Sequence, residues 1–204
     1  MATPGRPPLE RSELEPIFDA VLEVASTYTS RRATLQQIAT SAGVSVGKLQ
    51  HHFGTRDNLV RQAFEHHLLS ITKMLGALRD MKGSATQRLS RLVDEVTQHR
   101  SWMRSTLWID LLNRSIDSVQ YRHSAQEIYR AWVEMFTELI KEGVEASEFH
   151  PATSAVDAAT IIVSMADGLT VLVIVDGEES LDAERQQRRA LLASVVEATL
   201  GIRL

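Results

Sequence analysis

Hydrophobic residues recur at three- and four-residue intervals along most of the chain, which is the spacing of one face of an α-helix. In the N-terminal part the pattern predicts a helix over residues 13–27, a short helix that Thr34 caps and that ends near Ser41, and another over 46–52. It then predicts six more helices, over 57–79, 84–99, 101–114, 120–147, 153–174 and 181–200. The pattern therefore predicts an all-α protein of about nine helices.

One apolar run is ambiguous. Residues 169–175 read LTVLVIV, and a run this rich in β-branched residues is as typical of a strand as of a helix. We favour a helix because two apolar stripes continue through the segment at helical spacing. One stripe comprises Ala155, Ala159, Ile162, Ala166, Leu169 and Val173, and the other comprises Ala158, Ile161, Met165 and Leu172.

A tight turn joins the second predicted helix to the third. Gly43 suits the left-handed backbone that commonly ends a helix, and Ser45 can cap the helix that follows. The third helix is too short to be stable alone in water, so Val44, Leu49 and Phe53 have to anchor it on its neighbours. This layout is that of a helix-turn-helix, in which the short helix enters the major groove of DNA.

Charge is unevenly distributed along the chain. The net charge is −4, yet no Asp or Glu occurs between Val24 and Arg56, where Arg31, Arg32, Lys48 and Arg56 are found. The remaining residues therefore carry a net charge of −8. A local basic surface attracts phosphates even on an acidic protein, because salt screens distant charges. Four cations in a segment of this length also occur by chance, so charge alone leaves both interpretations open.

The sequence offers no support for an enzyme or a metalloprotein. It contains no cysteine, which excludes disulfides, thiolate metal sites and cysteine nucleophiles. It has no Gly-rich phosphate loop, no HExxH motif and no close pair of carboxylates within an apolar run. The histidine pairs at 51–52 and 66–67 lack the i, i+4 spacing of a helical zinc site. We therefore predict no catalytic residues, no metal and no cofactor.

The N-terminus and the apolar runs predict a cytoplasmic protein of bacterial type. Residues 1–11 contain three prolines and a glycine and predict a mobile arm. They form no apolar signal segment, and the longest apolar run is too short to cross a bilayer. We therefore predict no membrane partner.

Residues 34–64 read TLQQIATSAGVSVGKLQHHFGTRDNLVRQAF. The residue types that define this segment are Ile38, Ala39, Ala42, Gly43, Val44, Ser45, Gly47, Leu49, Phe53 and Leu59. In type and spacing they resemble the signature of the TetR family of transcriptional repressors. Where that family commonly has a tyrosine and a small residue, this chain has Gln50 and Lys48, which is similar to the choline-responsive repressors of the betaine pathway.

The resemblance implies DNA contacts by residues on and around the third helix. The predicted set is Arg32, Thr34, Gln36, Ser45, Val46, Lys48, Gln50, His51, His52, Thr55 and Arg56. Lysine at 48 can donate to guanine and glutamine at 50 can pair with adenine, while the two arginines are the expected phosphate cations. The two threonines can present hydroxyls and helix N-termini to phosphates. The histidines are open to two interpretations, DNA contact or packing.

The resemblance also implies a larger domain that binds an effector and dimerises. We expect an arm at 1–11, the helix-turn-helix domain at 12–56 and the effector and dimerisation domain at 57–204. Predicted effector contacts are His99, Trp102, Met103, Leu107, Leu111, Tyr129, Trp132, Met135, Phe136 and Met165. Predicted dimer contacts are Ala155, Ala159, Ile162, Ala166, Leu169, Val173, Leu191, Leu192, Val195 and Val196. Either set could instead be ordinary core.

These expectations combine into one hypothesis. The chain is a transcriptional repressor that binds a palindromic double-stranded DNA operator as a homodimer and is released by a small-molecule effector. The alternative is an effector-independent or architectural DNA-binding regulator of the same fold, whose central aromatic residues are plain core. Release of the operator by a ligand distinguishes the two.

Overall fold

The structure is a computed structural model that describes residues 10–28, 33–97, 101–177 and 181–204. In these ranges the chain forms nine α-helices and no strand, which confirms the predicted all-α fold. The helices are α1 (Arg11–Tyr28), α2 (Leu35–Ser41), α3 (Val46–Phe53), α4 (Arg56–Arg79), α5 (Ala85–Val96), α6 (Ser101–Ser115), α7 (Val119–Glu145), α8 (Ala155–Asp176) and α9 (Leu181–Leu200). The β-branched run at 169–175 belongs to α8 and is helical, as favoured from the sequence.

Local side-chain hydrogen bonds determine where several helices begin. At the start of α2, the backbone N–H of Gln37 donates to Thr34 Oγ1 and the backbone N–H of Thr34 donates to Gln37 Oε1 at 2.8 Å. Ser84 and Gln87 form the same reciprocal pair before α5, and Ser45 caps α3 alone. Caps of this kind stabilise a helix by about 1 kcal/mol each.

Contacts divide the chain into two compact units, residues 1–67 and 68–204, and the division falls within α4. The sequence placed the boundary earlier, at the start of that helix. In the first unit, α1 packs on α2 and α2 on α3. Its core contains Ile38, Leu49 and Phe64, all fully buried, so the short α3 is held by burial of its inner face.

The second unit is built around α8, which packs against α6, α7 and α9. Its main core combines residues of α5, α7, α8 and α9, and a smaller cluster includes Trp108 and Leu111 of α6 with Tyr121 of α7. Phe149 follows α7 and lies against Gly143, where an added Cβ would be 2.1 Å from a ring carbon. Glycine at 143 therefore allows this close approach.

By length and composition alone, α8 could cross a membrane, with 22 residues and a mean hydropathy of 2.2 over its most apolar window. The sequence analysis considered only the seven-residue run inside it. In this structure seven residues of α8 are buried, and several of them belong to the core of the second unit. Core helices of water-soluble proteins commonly reach this hydropathy, so the value does not by itself indicate a membrane span.

Candidate DNA-binding surface and ligand cavity

Helix α3 exposes polar residues on one side and buries apolar residues on the other. Gln50 and His51 are exposed, whereas Leu49 and Phe53 are 0% and 5% exposed. Of the other predicted DNA contacts, Thr34, Gln36, Ser45 and Thr55 are exposed, and Val46, Lys48, His52 and Arg56 are half-buried. Arg32 lies outside the described residues. The predicted set therefore contains a group of polar side chains that solvent, and so a DNA groove, can reach.

Lys48 is held by an acidic residue of α1. Its Nζ donates to Glu13 Oε1 at 2.9 Å, across 35 positions of sequence. A lysine in this ion pair has to leave the carboxylate before it can bind a base edge or a phosphate. The sequence analysis treated Lys48 as an available cation, because a contact between helices so far apart in the chain has no local sequence signal.

Arg56 is engaged inside the first unit. Its Nε donates to the backbone carbonyl of Ala33, and its Nη2 is buried with no hydrogen-bond partner among the described residues. Such a guanidinium ties the start of α4 to the residue before the cap of α2. The contact that the structure describes for Arg56 is therefore structural, and its role as a phosphate cation stays a prediction.

The histidines at the end of α3 contact each other. The rings of His51 and His52 lie edge to face with centroids 5.1 Å apart. His51 is exposed and His52 half-buried, so the two side chains face different surroundings. This arrangement favours His51 over His52 as a group that DNA could reach. No group of three or more His, Cys, Asp or Glu in the described residues could hold a metal ion.

The second unit contains an internal cavity, called here the inner cavity. Its volume, counted as the space that the centres of water molecules can occupy, is about 60 Å³. Its lining comprises Leu68, Val96, Thr97, Arg104, Ser105, Trp108, Ile128, Tyr129, Trp132, Val163, Ala166, Asp167, Leu169, Thr170, Val173 and Arg188. Apolar walls with a few polar groups are typical of ligand sites.

The inner cavity only partly matches the predicted effector contacts. Tyr129 and Trp132 line it. Leu107, Leu111, Met135 and Phe136 are buried but do not line it, and Trp102, Met103 and Met165 are half-buried elsewhere. His99 lies outside the described residues. Two aromatic residues of the predicted set therefore line this cavity, and effector contact by any of the set stays a prediction.

Sequence reasoning missed the charged and polar groups of the inner cavity. Trp108, Arg104, Asp167 and Arg188 line the cavity but were not among the predicted effector contacts. Asp167 did carry a signal, because it is an isolated acid within the long apolar helix α8. The arginines carried none, since arginine is common on the outer face of helices.

Two of these charged groups, Arg104 and Asp167, are half-buried side chains that line the inner cavity without pairing with each other. Burial lowers the pKa of Arg104, and nearby Glu95 only partly offsets this effect. Burial raises the pKa of Asp167 to about 6, and the Trp108 indole N–H weakly opposes the rise. Trp108 Nε1 is nevertheless buried with no hydrogen bond of ordinary geometry to a described residue. Arg188 instead pairs with Asp176 at 3.3 Å.

An open groove adjoins the inner cavity. It runs along residues of α6, α7 and α8, and three of its lining residues, Trp108, Tyr129 and Asp167, also line the inner cavity. The hydroxyls of Tyr129 and Ser164 lie 3.4 Å apart and link α7 to α8 at this level. These three side chains therefore form the partition between the groove and the cavity.

The apolar stripe assigned to the dimer interface faces the core of its own chain. Ala159, Ile162, Ala166, Leu169, Val173, Leu192 and Val196 are buried, Ala155 and Val195 are half-buried, and Leu191 is exposed. Buried side chains have almost no surface left for a partner, so within the predicted set only Ala155, Leu191 and Val195 keep surface that a second chain could contact, and the interface stays a prediction. The exposed residues of α8 are instead Ile161, Ser164, Gly168, Val171, Leu172 and Val175, together with polar and apolar residues nearer its start.

A helix-turn-helix unit joined to a helical unit with an internal cavity defines the class of DNA-binding transcriptional regulators. Comparison with known proteins specifies the class further. Residues 17–63 match the family model for bacterial regulatory proteins of the tetR family, and residues 85–201 match the model for the C-terminal domain of BetI-type transcriptional repressors. The chain belongs to the TetR family of transcriptional regulators, which confirms the predicted family.

Individual relatives are distant. YfiR of Bacillus subtilis, described as an uncharacterized HTH-type transcriptional regulator, is 23% identical over 192 residues, covering 87% of this chain and 91% of its own. A protein from Saccharomonospora viridis, solved in complex with choline, superposes with a TM-score of 0.76 at 18% identity, covering 90% of this chain and 96% of that one. FadR from Bacillus subtilis, solved in complex with stearoyl-CoA, superposes with a TM-score of 0.70 at 20% identity, covering 89% of this chain and 98% of that one.

Proposed function

We propose that this protein is a homodimeric repressor that binds a palindromic operator and releases it when a small molecule occupies the inner cavity. The observation that carries the effector role is the inner cavity itself, with unpaired Arg104 and Asp167 among apolar walls. Charged groups that are partly withdrawn from water destabilise a protein to some extent unless another group compensates them. A bound ligand would supply that compensation.

The DNA-binding role rests on the first unit. Gln50 projects into solvent from a helix whose other side is fixed in the core, and Lys48 lies two residues before it. A rigidly held helix with exposed polar residues can enter a major groove and form hydrogen bonds with base edges. In this arrangement Gln50 reads a base, and Lys48 does so once Glu13 releases it.

The dimer rests on the exposed face of α8. Ile161, Leu172 and Val175 are 45%, 41% and 74% exposed and lie on one side of the helix with Ser164 and Gly168. Small residues at the centre of an apolar helical face allow a second helix to approach closely, and a two-fold axis would bring the same face of a partner against it. Leu191 of α9, also exposed, extends the apolar surface.

The effector has to act through a difference in its affinity for two states of the protein. Helix α4 belongs to both units, so it is a continuous element through which occupancy of the inner cavity can bias DNA binding. The solved relatives in complex with choline and with stearoyl-CoA support a ligand role for this fold. The described cavity is far closer to choline in size than to an acyl-coenzyme A.

Selection of random duplex DNA on the purified protein tests the DNA-binding role. We expect enrichment of a palindrome, and fluorescence anisotropy then gives the affinity for it. The double variant Lys48→Ala and Gln50→Ala is the control. Alanine favours the helical conformation, so α3 should remain a helix in this variant. The variant should bind the selected DNA and random DNA equally. Release of the palindromic DNA when a ligand is added would support the effector role. DNA binding that no ligand changes would instead favour the effector-independent regulator.

Sedimentation tests the dimer. Leu172→Glu places a charge on the exposed face of α8, and we expect it to convert a dimer to a monomer. Ile116→Glu is the matched control, because Ile116 is 70% exposed and directly follows the last residue of α6, away from α8 in the sequence. Dissociation by both variants, or by neither, would contradict an interface on this face.

A further inference from the structure

We propose that the ligand of the inner cavity is a small zwitterion, with its anionic end at Arg104 and its cationic end at Asp167 among the aromatic rings. This inference rests on the proposed effector role and names the ligand class that the cavity takes. It follows from the presence of two oppositely charged side chains that line one cavity and do not pair with each other.

Arg104 provides the anion-binding end. Its Nη2 donates to the backbone carbonyl of Val96, and this is its only hydrogen bond to a described residue. A guanidinium has five N–H donors, so most of them have no protein acceptor here. A carboxylate is the group that fits this planar fork best and adds a charge-assisted hydrogen bond. The hydroxyls of Ser105 and Thr97 line the same cavity and can supplement it.

Asp167 provides the cation-binding end. Its carboxyl lines the inner cavity, and neither Arg104 nor Arg188 is among the groups that shift its pKa. The two charges therefore stand apart, and a ligand between them can contact both. Trp108 Nε1, on a side chain only 8% exposed, makes no hydrogen bond of ordinary geometry to a described residue, yet it is close enough to this carboxyl to lower its pKa. A cation that keeps Asp167 ionised would also strengthen the interaction of the carboxylate with this N–H.

Aromatic rings determine which kind of cation fits. Trp108, Tyr129 and Trp132 line the inner cavity together with Asp167, and the face of an aromatic ring attracts a cation. An ammonium with free N–H groups needs several hydrogen-bond acceptors, whereas ring faces offer none with ordinary hydrogen-bond strength. A methylated ammonium has no N–H to satisfy and contacts ring faces with its methyl groups. The cationic end is therefore a quaternary or heavily substituted ammonium.

Cavity size limits the ligand. The 60 Å³ open to water centres corresponds to roughly four to six water molecules. Covalently bonded atoms lie closer together than waters do, so a ligand of fewer than about ten heavy atoms is the appropriate scale. A ligand with one charge fits this volume but leaves the other side chain uncompensated, and this is the reason to favour a zwitterion over a simple cation or anion.

Calorimetric titration of the full-length protein without DNA tests the proposal with four probes of one skeleton. Trimethylglycine carries both charges, choline only the cation, tert-butylacetate only the anion, and tert-butylethanol neither. We expect trimethylglycine to bind at least about tenfold more tightly than either singly charged probe, since each charged contact is worth about that factor or more. The neutral alcohol should bind most weakly.

Two variants separate the two ends. Asp167→Asn keeps the shape of the side chain and should weaken only trimethylglycine and choline. Arg104→Gln should weaken only trimethylglycine and tert-butylacetate, and Arg104→Lys should restore part of the loss if the variant folds as the parent does by circular dichroism. Because each variant acts on a different pair of probes, a general loss of folding cannot produce this pattern.

Several outcomes would overturn the inference. Choline or tert-butylacetate binding as tightly as trimethylglycine would assign the cavity to a singly charged ligand, and failure of all four probes to bind would exclude a small zwitterion of this shape. Operator release by such a singly charged ligand would retain the proposed function and discard only the zwitterion. Operator binding that no probe or other ligand changes would discard the effector role itself.

Discussion

The two units of this protein place their polar recognition groups in opposite environments. In the first unit, Gln50 and His51 stand in solvent on a helix whose inner face is buried. In the second unit, Arg104 and Asp167 are half-buried around the inner cavity, and burial shifts the pKa of each against its charged form. Exposed polar groups keep their hydration in the absence of DNA. Partly buried charges have lost some of their hydration, so they destabilise the fold until a ligand binds. In the second unit, the groups proposed to bind the ligand therefore lower the stability of the ligand-free fold. In the first unit, the groups proposed to bind DNA do not.

The strongest test of this comparison removes core contacts from one unit at a time. Leu49→Ala should destabilise the first unit by about 2–5 kcal/mol and abolish operator binding, because a fully buried leucine holds α3. All three tryptophans lie in the second unit, so their fluorescence should stay unchanged. Leu92→Ala, at a fully buried site of the second unit, should instead change the tryptophan fluorescence. Equal spectral changes in both variants would show that the units do not behave separately.

The next largest effect concerns Asp167. Burial raises its pKa from 3.8 to about 6, so between these pH values the folded state holds a proton that the unfolded state has lost, and stability falls as pH rises. The full penalty above pH 6 is at most about 3 kcal/mol. Asp167→Asn should therefore raise the free energy of unfolding at pH 7 and remove this pH dependence, as measured by urea denaturation. The exposed Asp117→Asn is the control, and the same gain there would contradict a local cause.

Arg56 separates a structural contact from a DNA contact. Arg56→Ala removes the hydrogen bond to the Ala33 carbonyl, and we expect a loss of about 1–3 kcal/mol in the stability of the first unit. Thermal unfolding followed by circular dichroism measures this. If stability is unchanged while affinity for every DNA sequence falls and the salt dependence flattens, Arg56 is a phosphate contact after all.

The smallest expected effect concerns the ion pair between Glu13 and Lys48. Glu13→Gln should release the lysine and strengthen DNA binding by about 0.2–1 kcal/mol, the usual range for an exposed ion pair. The slope of log affinity against log salt should steepen by about one unit per subunit. Asp19→Asn makes the same charge change at another exposed position of α1. An identical gain in DNA affinity in that control would show that the change in net charge, and not release of Lys48, causes the effect.

The sequence predicted the helices well because their determinants are local. Apolar spacing and the caps at Thr34, Ser45 and Ser84 lie within a few residues of the helix ends they control. The exposed residues of α3 were predicted for the same reason, since a helix-turn-helix specifies which side faces outward.

The inner cavity could not be predicted in the same way. Helix α8 is apolar on more than one side, and only its packing decides that Leu169 and Val173 line a cavity while Leu172 faces outward. The pairing of Lys48 with Glu13 and of Arg56 with Ala33 likewise depends on the three-dimensional arrangement of distant segments. Sequence periodicity identifies apolar faces, but it does not say which neighbour covers each face.

The partition formed by Trp108, Tyr129 and Asp167 has a consequence for timing. A ligand that reaches the inner cavity from the groove has to pass these three side chains both on arrival and on departure. A narrow passage slows both steps by the same factor and leaves the equilibrium affinity unchanged. In the proposed site, Trp108, Tyr129 and Asp167 also contact the ligand, so a substitution at any of them changes the affinity together with these rates. At these positions, the duration of a regulatory response and the ligand concentration at which it occurs are therefore coupled.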